Sequence, residues 1–416
     1  MSVLAPLRHT PFRLLITGRT ISALGSAFAP IALAFAVLDL TGSASDLGFV
    51  VGARTLVNVV FLLFGGVLAD RMPKHLLMVG SSLAAAATQG VTAALVLTHS
   101  ATISLLIVLA ALNGMVSALS MPASSSILPQ TVPEEVRQQA NALNRLSLNF
   151  AAIVGAPIAG VVVAAVGPGW GIAVDATTFV LAAISFWLLR MPHPVATGKA
   201  GRPHIFADLR TGWSEFRSRT WLWAVVAAFC LINPVWGGGL FVLGPVVANE
   251  TFGRVGWGLV LAAQTAGMIA GGLLAMRLRL RRLLYFGAFA CFFMALPLLA
   301  LGIYPHLWLL IGCAFVGGLM LEQFGVAWET TMQEHVPADK LARVYSYDMV
   351  GSFVAIPVGE IAIGPISHAA GVEPTLIGAS VLLILAVFGM LSSRDVRMLP
   401  HKLPEPAAEP VEESVP

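Results

Sequence analysis

Charged residues are scarce in this sequence. Of its 416 residues, 11% are Asp, Glu, Lys or Arg, whereas 57% are hydrophobic. A soluble domain carries roughly 25% charged residues, so this chain has too few to cover a water-exposed surface. The composition excludes a water-soluble globular protein. Because each membrane-spanning helix needs about 20 apolar residues, the length accommodates on the order of 12 spans after loops and tails.

Cysteine and lysine are scarce as well. The three cysteines, Cys230, Cys291 and Cys313, lie in apolar stretches without CxxC spacing, which argues against a disulfide framework or a thiolate metal site. None of the four lysines is followed by Ser or Thr, so the chain has no P-loop, and it has no HExxH motif. No lysine lies in a long apolar run, which excludes a retinal-type Schiff base. We expect no enzyme, no cofactor, no metal ion and no nucleic-acid partner.

Long apolar runs bounded by charges, Gly or Pro are abundant. They predict an all-α membrane protein with twelve transmembrane helices. The runs lie at about residues 14–38, 47–69, 76–98, 102–126, 141–166, 170–189, 221–247, 256–276, 284–302, 307–330, 344–367 and 374–392.

The distribution of Lys and Arg predicts the orientation in the membrane. With a cytoplasmic N-terminus, 20 of the 24 basic residues fall in cytoplasmic segments and only Arg254 falls in an outer loop. The other three, Arg19, Arg54 and Arg145, lie within spans. Cytoplasmic segments carry the excess of Lys and Arg in membrane proteins. We therefore expect both termini to be cytoplasmic and the protein to be a multi-pass protein of the plasma or inner membrane.

Two polar segments divide the chain. The segment 191–220 carries apolar residues at helical spacing among arginines, which is typical of an amphipathic helix on the inner leaflet. These apolar residues are Phe206, Leu209, Trp213 and Phe216. The tail 396–416 is rich in Pro, Ala and Glu and is predicted to be disordered. The remaining units are a six-helix half at 1–190 and a second at 221–395.

The two halves share an internal repeat. Gly65 to Arg71 after span 2 recurs as Gly271 to Arg277 after span 8, at an offset of 206 residues. At an offset of 204, Gly114, Gly155 and Gly160 recur as Gly318, Gly359 and Gly364. Several matches at nearly one offset indicate two parallel six-helix repeats. Halves of this kind are typical of one large class of transporters, which hold the substrate between them.

The segment after span 2 carries a finer pattern. It reads Gly66-Val67-Leu68-Ala69-Asp70-Arg71-Met72-Pro73-Lys74-His75. Over residues 10–395 the sequence resembles the major facilitator superfamily, whose signature has Gly, Leu, Ala, Asp, Arg and a basic pair here. It departs from that signature at Pro73 and His75. The resemblance implies that Gly66, Asp70 and Arg71 form a conformational latch, whereas an ordinary solvated loop is the alternative.

Further motifs resemble one branch of that superfamily. They are Met121-Pro122-Ala123, Gly155-Ala156-Pro157-Ile158-Ala159-Gly160 and Pro357-Val358-Gly359. They are similar to the exporter branch that contains enterobactin exporters and macrolide-type drug efflux proteins. In antiporters of the superfamily a Gly/Pro motif occupies span 5, so Gly155, Pro157 and Gly160 are expected to shape gating. A simple packing kink is the alternative.

Carboxylates inside spans are candidates for proton coupling, because a buried ionisable group is costly in a membrane and is by default a functional candidate. Four qualify: Glu322 in span 10, Asp348 and Glu360 in span 11, and Asp175 in span 6. For each, a structural pairing with an intramembrane arginine is the alternative reading.

Polar residues within spans are the candidates for contact with a substrate. Seven are predicted to face a cavity: Arg19, Arg54, Asn58, Asn113, Arg145, Asn233 and Gln264. Snorkelling or hydrogen bonds between helices would explain them equally. Arginine and asparagine favour a polar or anionic ligand, whereas Trp236, Phe241 and Phe324 favour an apolar one.

The sequence thus predicts a secondary active transporter that works by alternating access. The resemblance implies a proton-coupled exporter (antiporter) of hydrophobic small molecules such as drugs, siderophores or secondary metabolites, functional as a monomer in the lipid bilayer. An importer or facilitator of a polar metabolite is the alternative. A transporter-like membrane sensor is the alternative from another class.

Overall fold

The computed structural model describes residues 5–71, 73–189, 213–278 and 280–401, without the side chains at 63–71, 121–126, 338–339 and 342–343. In this part of the chain all regular structure is helical. Twelve segments are long and apolar enough to cross a membrane. The predicted all-α, twelve-span fold is therefore confirmed. Most of the predicted linker helix and most of the predicted disordered tail 396–416 lie outside the described residues. The described start of that tail is not disordered, because it contains the end of the helical turn Arg394–Met398, in which Val396 is buried.

The helices are numbered here by the span to which they belong. Spans 1 to 6 consist of Thr10–Ser26 with Ala29–Thr41, Ala44–Arg71, Lys74–Leu97, Ile103–Ile127, Arg137–Val166 and Pro168–Trp187. Spans 7 to 12 consist of Thr220–Gly237 with Gly238–Leu243 and Gly244–Glu250, Gly253–Ala275, Leu283–Ala290 with Cys291–Met294 and Ala295–Ile303, Leu307–His335, Ala338–Phe353 with Ile356–Ala370, and Val372–Ser392. Short helical turns lie at Ala5–Arg8, Leu128–Gln130, Glu134–Val136 and Arg394–Met398.

Prolines explain why some spans are interrupted. Proline has no N–H to bond the carbonyl four residues earlier, so a helix often ends there. Span 1 is broken after Ser26, four residues before Pro30, and span 11 is broken after Phe353, four residues before Pro357. Pro157, Pro234 and Pro365 are exceptions, because helices of spans 5, 7 and 11 continue through them.

The bundle has two ends, named here the termini end and the far end. The start of span 1 and the end of span 12 lie at the termini end, since the number of spans in the described part of the chain is even. Two antiparallel pairs join the halves, span 2 with span 11 and span 5 with span 8. At the far end, Gly364 lies against the backbone of Ser45, and Gly160 lies against the backbone of Arg254. A side chain at either glycine would overlap that backbone.

The repeated glycines occupy matching positions in the two halves. Gly114 lies against the backbone of span 2, and Gly318 lies against that of span 8. Gly155 packs on span 1, and Gly359 packs on span 7. In each half, the fourth span therefore approaches the second closely and the fifth approaches the first. The shared offset in sequence corresponds to a shared pattern of packing.

An ion pair also joins the halves at the far end. The guanidinium of Arg254, at the start of span 8, donates two hydrogen bonds to the carboxylate of Asp39, near the end of span 1. It also lies 5.0 Å from the ring centroid of Phe35. Far-end loops are tight, and Gly167 and Gly371, which precede spans 6 and 12, both have φ +91°.

Toward the termini end the halves separate. The first helix of span 11, Ala338–Phe353, packs on spans 7 and 10 of its own half. On span 5, Leu146 and Phe150 are 63% and 62% exposed. The space between the halves is therefore closed at the far end, and it widens toward the termini end.

Candidate functional site

A cavity of about 270 Å³, the central cavity, lies between the halves. Spans 1 to 4 form one wall, and spans 7, 8 and 11 form the other. Most of the lining is apolar, with Leu33 and Leu106 on the first wall and Phe241, Trp257 and Leu261 on the second. The polar lining residues are Arg54, Thr55, Gln89, Thr92, Asn113 and Glu360. A mostly apolar cavity with a few convergent polar groups is the usual form of a small-molecule site.

Arg54 of span 2 lies at the centre of a polar network. Its Nε donates to Oδ1 of Asn113 in span 4 at 3.3 Å. The Asn113 amide in turn donates to the hydroxyl of Thr88 in span 3 at 3.4 Å. The network joins three spans of the N-terminal half and orients the guanidinium.

Two buried carboxylates act on Arg54 from different halves. Asp175 of span 6 is 1% exposed, and Glu360 of span 11 is 3% exposed. Both carboxylates attract the Arg54 guanidinium. Gln89 donates from its amide to Oδ2 of Asp175 at 2.5 Å. Oδ1 of Asp175 and Oε2 of Glu360 are buried and have no hydrogen-bond partner among the described residues.

A second cavity, the N-half cavity, occupies about 260 Å³ among the six spans of the N-terminal half. It shares Arg54 and Asn113 with the central cavity, so these two residues separate the two spaces. Arg19 of span 1 lines it together with serines of spans 1, 3 and 4. Two of the predicted arginines, Arg19 and Arg54, thus share one cavity.

Two of the predicted cavity residues join helices. The Asn58 amide donates to the carbonyl of Gly114 at 3.1 Å, which ties span 2 to span 4. The Asn233 amide donates to the carbonyl of Ser352 at 2.9 Å, which ties span 7 to span 11. Gln264 lies on span 8, where its carbonyl meets Gly318, and it lines neither cavity.

The remaining carboxylates lie away from the Arg54 network. Asp348 accepts a hydrogen bond from the indole Nε1 of Trp328 at 3.0 Å and another from the hydroxyl of Ser352 at 3.1 Å. The carboxylate of Glu322 in span 10 is half-buried and is attracted by the positive charge of Arg145 in span 5. Because span 5 belongs to the other half, this is a third electrostatic interaction between the halves, after those of Arg254 with Asp39 and of Arg54 with Glu360.

The Gly/Pro motif of span 5 lies at a contact between helices. Gly155 packs against Leu24 and Ala27, beside the break in span 1. Pro157 and its neighbour Ala156 lie against Gly258 of span 8. The motif thus contacts both its own half and the other half.

The predicted latch falls at the edge of the described structure. Gly66, Asp70 and Arg71 lie in the last turns of the helix Ala44–Arg71. Their side chains lie outside the described part, so the latch stays a prediction.

The sequence pattern did not single out Gln89, Thr88 or Thr55. Thr88 and Gln89 are adjacent polar residues in span 3, and Thr55 follows Arg54 directly. Uncharged polar residues are common in spans, where they serve helix packing. For Thr55, the sequence offered one signal, its position next to the charged candidate Arg54. For Thr88 and Gln89 in span 3, proximity to a charged candidate becomes visible only in the folded structure. Among the described residues, no group of three or more His, Cys, Asp or Glu side chains is arranged to hold a metal ion.

Residues 15–360 match the family model of the Major Facilitator Superfamily. The chain is 24% identical to Macrolide efflux protein A of Streptococcus pyogenes over 399 residues, which is 92% of this chain and 96% of the relative. It is 24% identical to Multidrug efflux pump Tap of Mycolicibacterium fortuitum over 405 residues, which is 93% of this chain and 97% of the relative.

Solved structures share the fold. A bacterial homolog of the human lysosomal transporter Spinster, in an inward-facing and unoccupied conformation, aligns with a TM-score of 0.73 at 13% identity, covering 94% of this chain and 98% of that one. The nucleoside transporter NupG aligns with a TM-score of 0.73 at 11% identity, covering 92% and 98%. The chain therefore belongs to the Major Facilitator Superfamily and is a multi-pass cell-membrane transporter of small molecules.

Proposed function

We propose that the protein is a proton-coupled exporter of hydrophobic small molecules that works by alternating access. Export is supported by the two relatives, which are an efflux protein and an efflux pump by name and match this chain over nearly its whole length. The apolar lining of the central cavity supports a hydrophobic substrate. Both walls come from one chain, so a monomer suffices.

The termini end is cytoplasmic in this proposal. The predicted excess of Lys and Arg at that end supports the assignment. With this orientation the structure is open toward the cytoplasm and closed at the outer face, where Asp39 and Arg254 join the halves. An exporter in this state is ready to take up its substrate.

One observation carries the proposal of proton coupling: Glu360 of the C-terminal half acts on Arg54 of the N-terminal half across the central cavity. Thr55 lies beside this carboxylate, and Asp175 is the other acidic group that acts on Arg54. Glu360 also lies at the closed outer contact, because its carbonyl meets Gly48 of span 2. Attraction between Arg54 and Glu360 therefore holds the halves together on the outer side.

A proton on Glu360 abolishes that attraction. Loss of one opposite charge at a buried pair removes the stabilisation of the contact that it supported. A substrate that enters the central cavity and contacts Glu360 has the same effect. The empty, unprotonated carrier then stays closed outside, while either the proton or the substrate allows it to reopen. The exchange of a proton for a substrate requires this restriction, because an empty carrier that changed conformation freely would uncouple the two.

The test is transport by the purified protein in liposomes with an imposed pH gradient, against a panel of hydrophobic dyes, antibiotics and siderophores. We expect the gradient to stimulate flux in the wild-type protein and in Glu373→Gln, because Glu373 is exposed at the outer start of span 12. Glu360→Gln should transport at one rate whether or not a gradient is present.

Two results would overturn the proposal. An unchanged response to the gradient in Glu360→Gln would remove Glu360 as the coupling group. Absence of flux for every compound would favour the membrane-sensor alternative.

A further inference from the structure

The charge in the N-half cavity is unbalanced. Arg19 and Arg54 both line it, and none of its lining residues is acidic. Arg54 is compensated by Asp175 and Glu360. Arg19 is largely buried, and no carboxylate of the described part acts on it. One positive charge thus lies in a cavity within the membrane without a partner from the described protein.

The walls around Arg19 provide further hydrogen-bond donors. The serines that line the cavity are Ser22, Ser26, Ser81, Ser82, Ser117 and Ser120. The hydroxyls of Ser81 and Ser120 donate to the carbonyls of Met78 and Ser117, so Ser22, Ser26, Ser82 and Ser117 are the remaining donors of this lining. Serine hydroxyls and guanidinium N–H groups are the donors that a carboxylate accepts, and a guanidinium binds a carboxylate through two parallel hydrogen bonds. The site therefore combines a fixed cation with rotatable donors.

The other walls of the cavity are apolar. Phe179 and Phe186 of span 6 line it, and Met78, Val116 and Leu148 add aliphatic and thioether surface. A free inorganic anion would leave this surface without contact. A single unpaired guanidinium also matches one negative charge rather than two. These features favour an organic acid with an apolar body.

We propose that the N-half cavity binds amphipathic monocarboxylates, with the carboxylate on Arg19 and the apolar body against span 6. The assignment rests on the transport role proposed above and narrows its substrate class. Arg54 lines both cavities, so the ligand held on Arg19 lies beside the pair of Arg54 and Glu360 and passes it on its way through the central cavity. The N-half cavity then selects the ligand, while the central cavity links its passage to the proton.

The test compares two probes that differ only in charge, naphthalene-2-acetate and its neutral amide. Their affinities are measured by calorimetry at neutral pH on the full-length protein in lipid nanodiscs. We expect the wild-type protein to bind the acid more tightly than the amide. Arg19→Gln should weaken binding of the acid about tenfold, since hydrogen bonds to charged groups are the strong ones, and should leave the amide unchanged. Arg19→Lys should retain part of the preference.

A matched control separates the site from a general effect of charge. Arg13 lies on the same helix of span 1 but is exposed and donates to Thr10, so Arg13→Gln should bind both probes as the wild-type protein does. Ser117→Ala removes one donor and should weaken the acid alone, which covers the case in which Arg19→Gln fails to fold.

Equal affinity of the wild-type protein for the two probes, or unchanged binding of the acid by Arg19→Gln, would overturn the site. This result is distinguishable from failure of the transport proposal. Selective binding of the acid without gradient-driven flux contradicts the coupling proposal alone, whereas gradient-driven flux without preference for the acid contradicts this site alone.

Discussion

Individual residues show why an ionisable group in a span is informative but not decisive. The energetic cost of a charge inside the membrane was enough to identify Arg54, Asp175 and Glu360 as functional candidates. Such a charge is retained only where another group compensates it or where the function uses it. The fold places Arg54 and Glu360 on the lining of one cavity, and Asp175, which lines neither cavity, also attracts Arg54. It places Asp348 elsewhere, between Trp328 and Ser352. The same energetic argument identified Asp348 as well as Asp175 and Glu360, and only the contacts in the structure distinguish these carboxylates.

Asp348 is expected to serve packing of the helices rather than proton coupling. The Trp328 indole and the carboxylate should have a coupling energy of about 1.5–3 kcal/mol, typical of a hydrogen bond to a charged group. A double-mutant cycle with Trp328→Phe and Asp348→Asn measures this coupling energy. The free energy of unfolding of each protein is obtained from SDS titration in mixed micelles. Flux through Asp348→Asn should keep its response to a pH gradient, unlike flux through Glu360→Gln. A coupling energy near zero, or loss of the gradient response, would contradict this assignment.

At the level of elements, glycines decide how closely spans from opposite halves approach. Gly364 of span 11 lies on the backbone of Ser45 in span 2. Backbone cannot move aside as a flexible side chain does, so a larger residue there forces the spans apart. Small residues at helix contacts have this general role in membranes. The outer closure therefore depends on a few positions without side chains.

Gly364→Val should shift the population toward the outward-open state. The substitution Leu33→Cys places a thiol on the lining of the central cavity. Its reaction with a maleimide that cannot cross the membrane reports how often the cavity is open to the outside. With the native cysteines replaced by serine, we expect labelling from outside to rise several-fold in Gly364→Val. Gly378→Val is the matched control, since a side chain at Gly378 of span 12 meets open space. Equal labelling of the two variants would contradict the role of Gly364 in closure.

For the whole molecule, much of the architecture was predictable because hydropathy and the repeat act over long stretches. Twelve apolar runs became twelve spans, and glycines at one offset, such as Gly114 and Gly318, became matching contacts. The position of Glu360 on the same cavity as Arg54 was not predictable. These residues lie in different halves, and no local pattern records which face of span 11 meets span 2.

The connection between the halves ends in a polar contact outside the membrane. Glu215, in the helical turn at 213–217, accepts a hydrogen bond from Nζ of Lys340 at 2.7 Å and another from Arg219. Lys340 lies at the start of the helix that leads into span 11, so this contact holds the end of the linker onto the C-terminal half. The rings of Trp213 and Phe216 stack on each other there, and both pack at a tilt against the ring of Tyr347.

This contact should weaken in acid. Hydrogen bonds from Lys340 and Arg219 lower the pKa of Glu215 below its ordinary value of 4.5. A lowered pKa in the folded state means that the stabilisation is complete above the ordinary value and is lost as the pH falls through the folded value. A spin label on Ser214→Cys should therefore become more mobile only below about pH 4.5. In Glu215→Gln, the same label should be equally mobile at every pH. A label that loosens at the same pH in both proteins would show that another group titrates. Because the contact joins the end of the linker to the C-terminal half and does not cross between the two halves, flux at neutral pH should change little in Glu215→Gln.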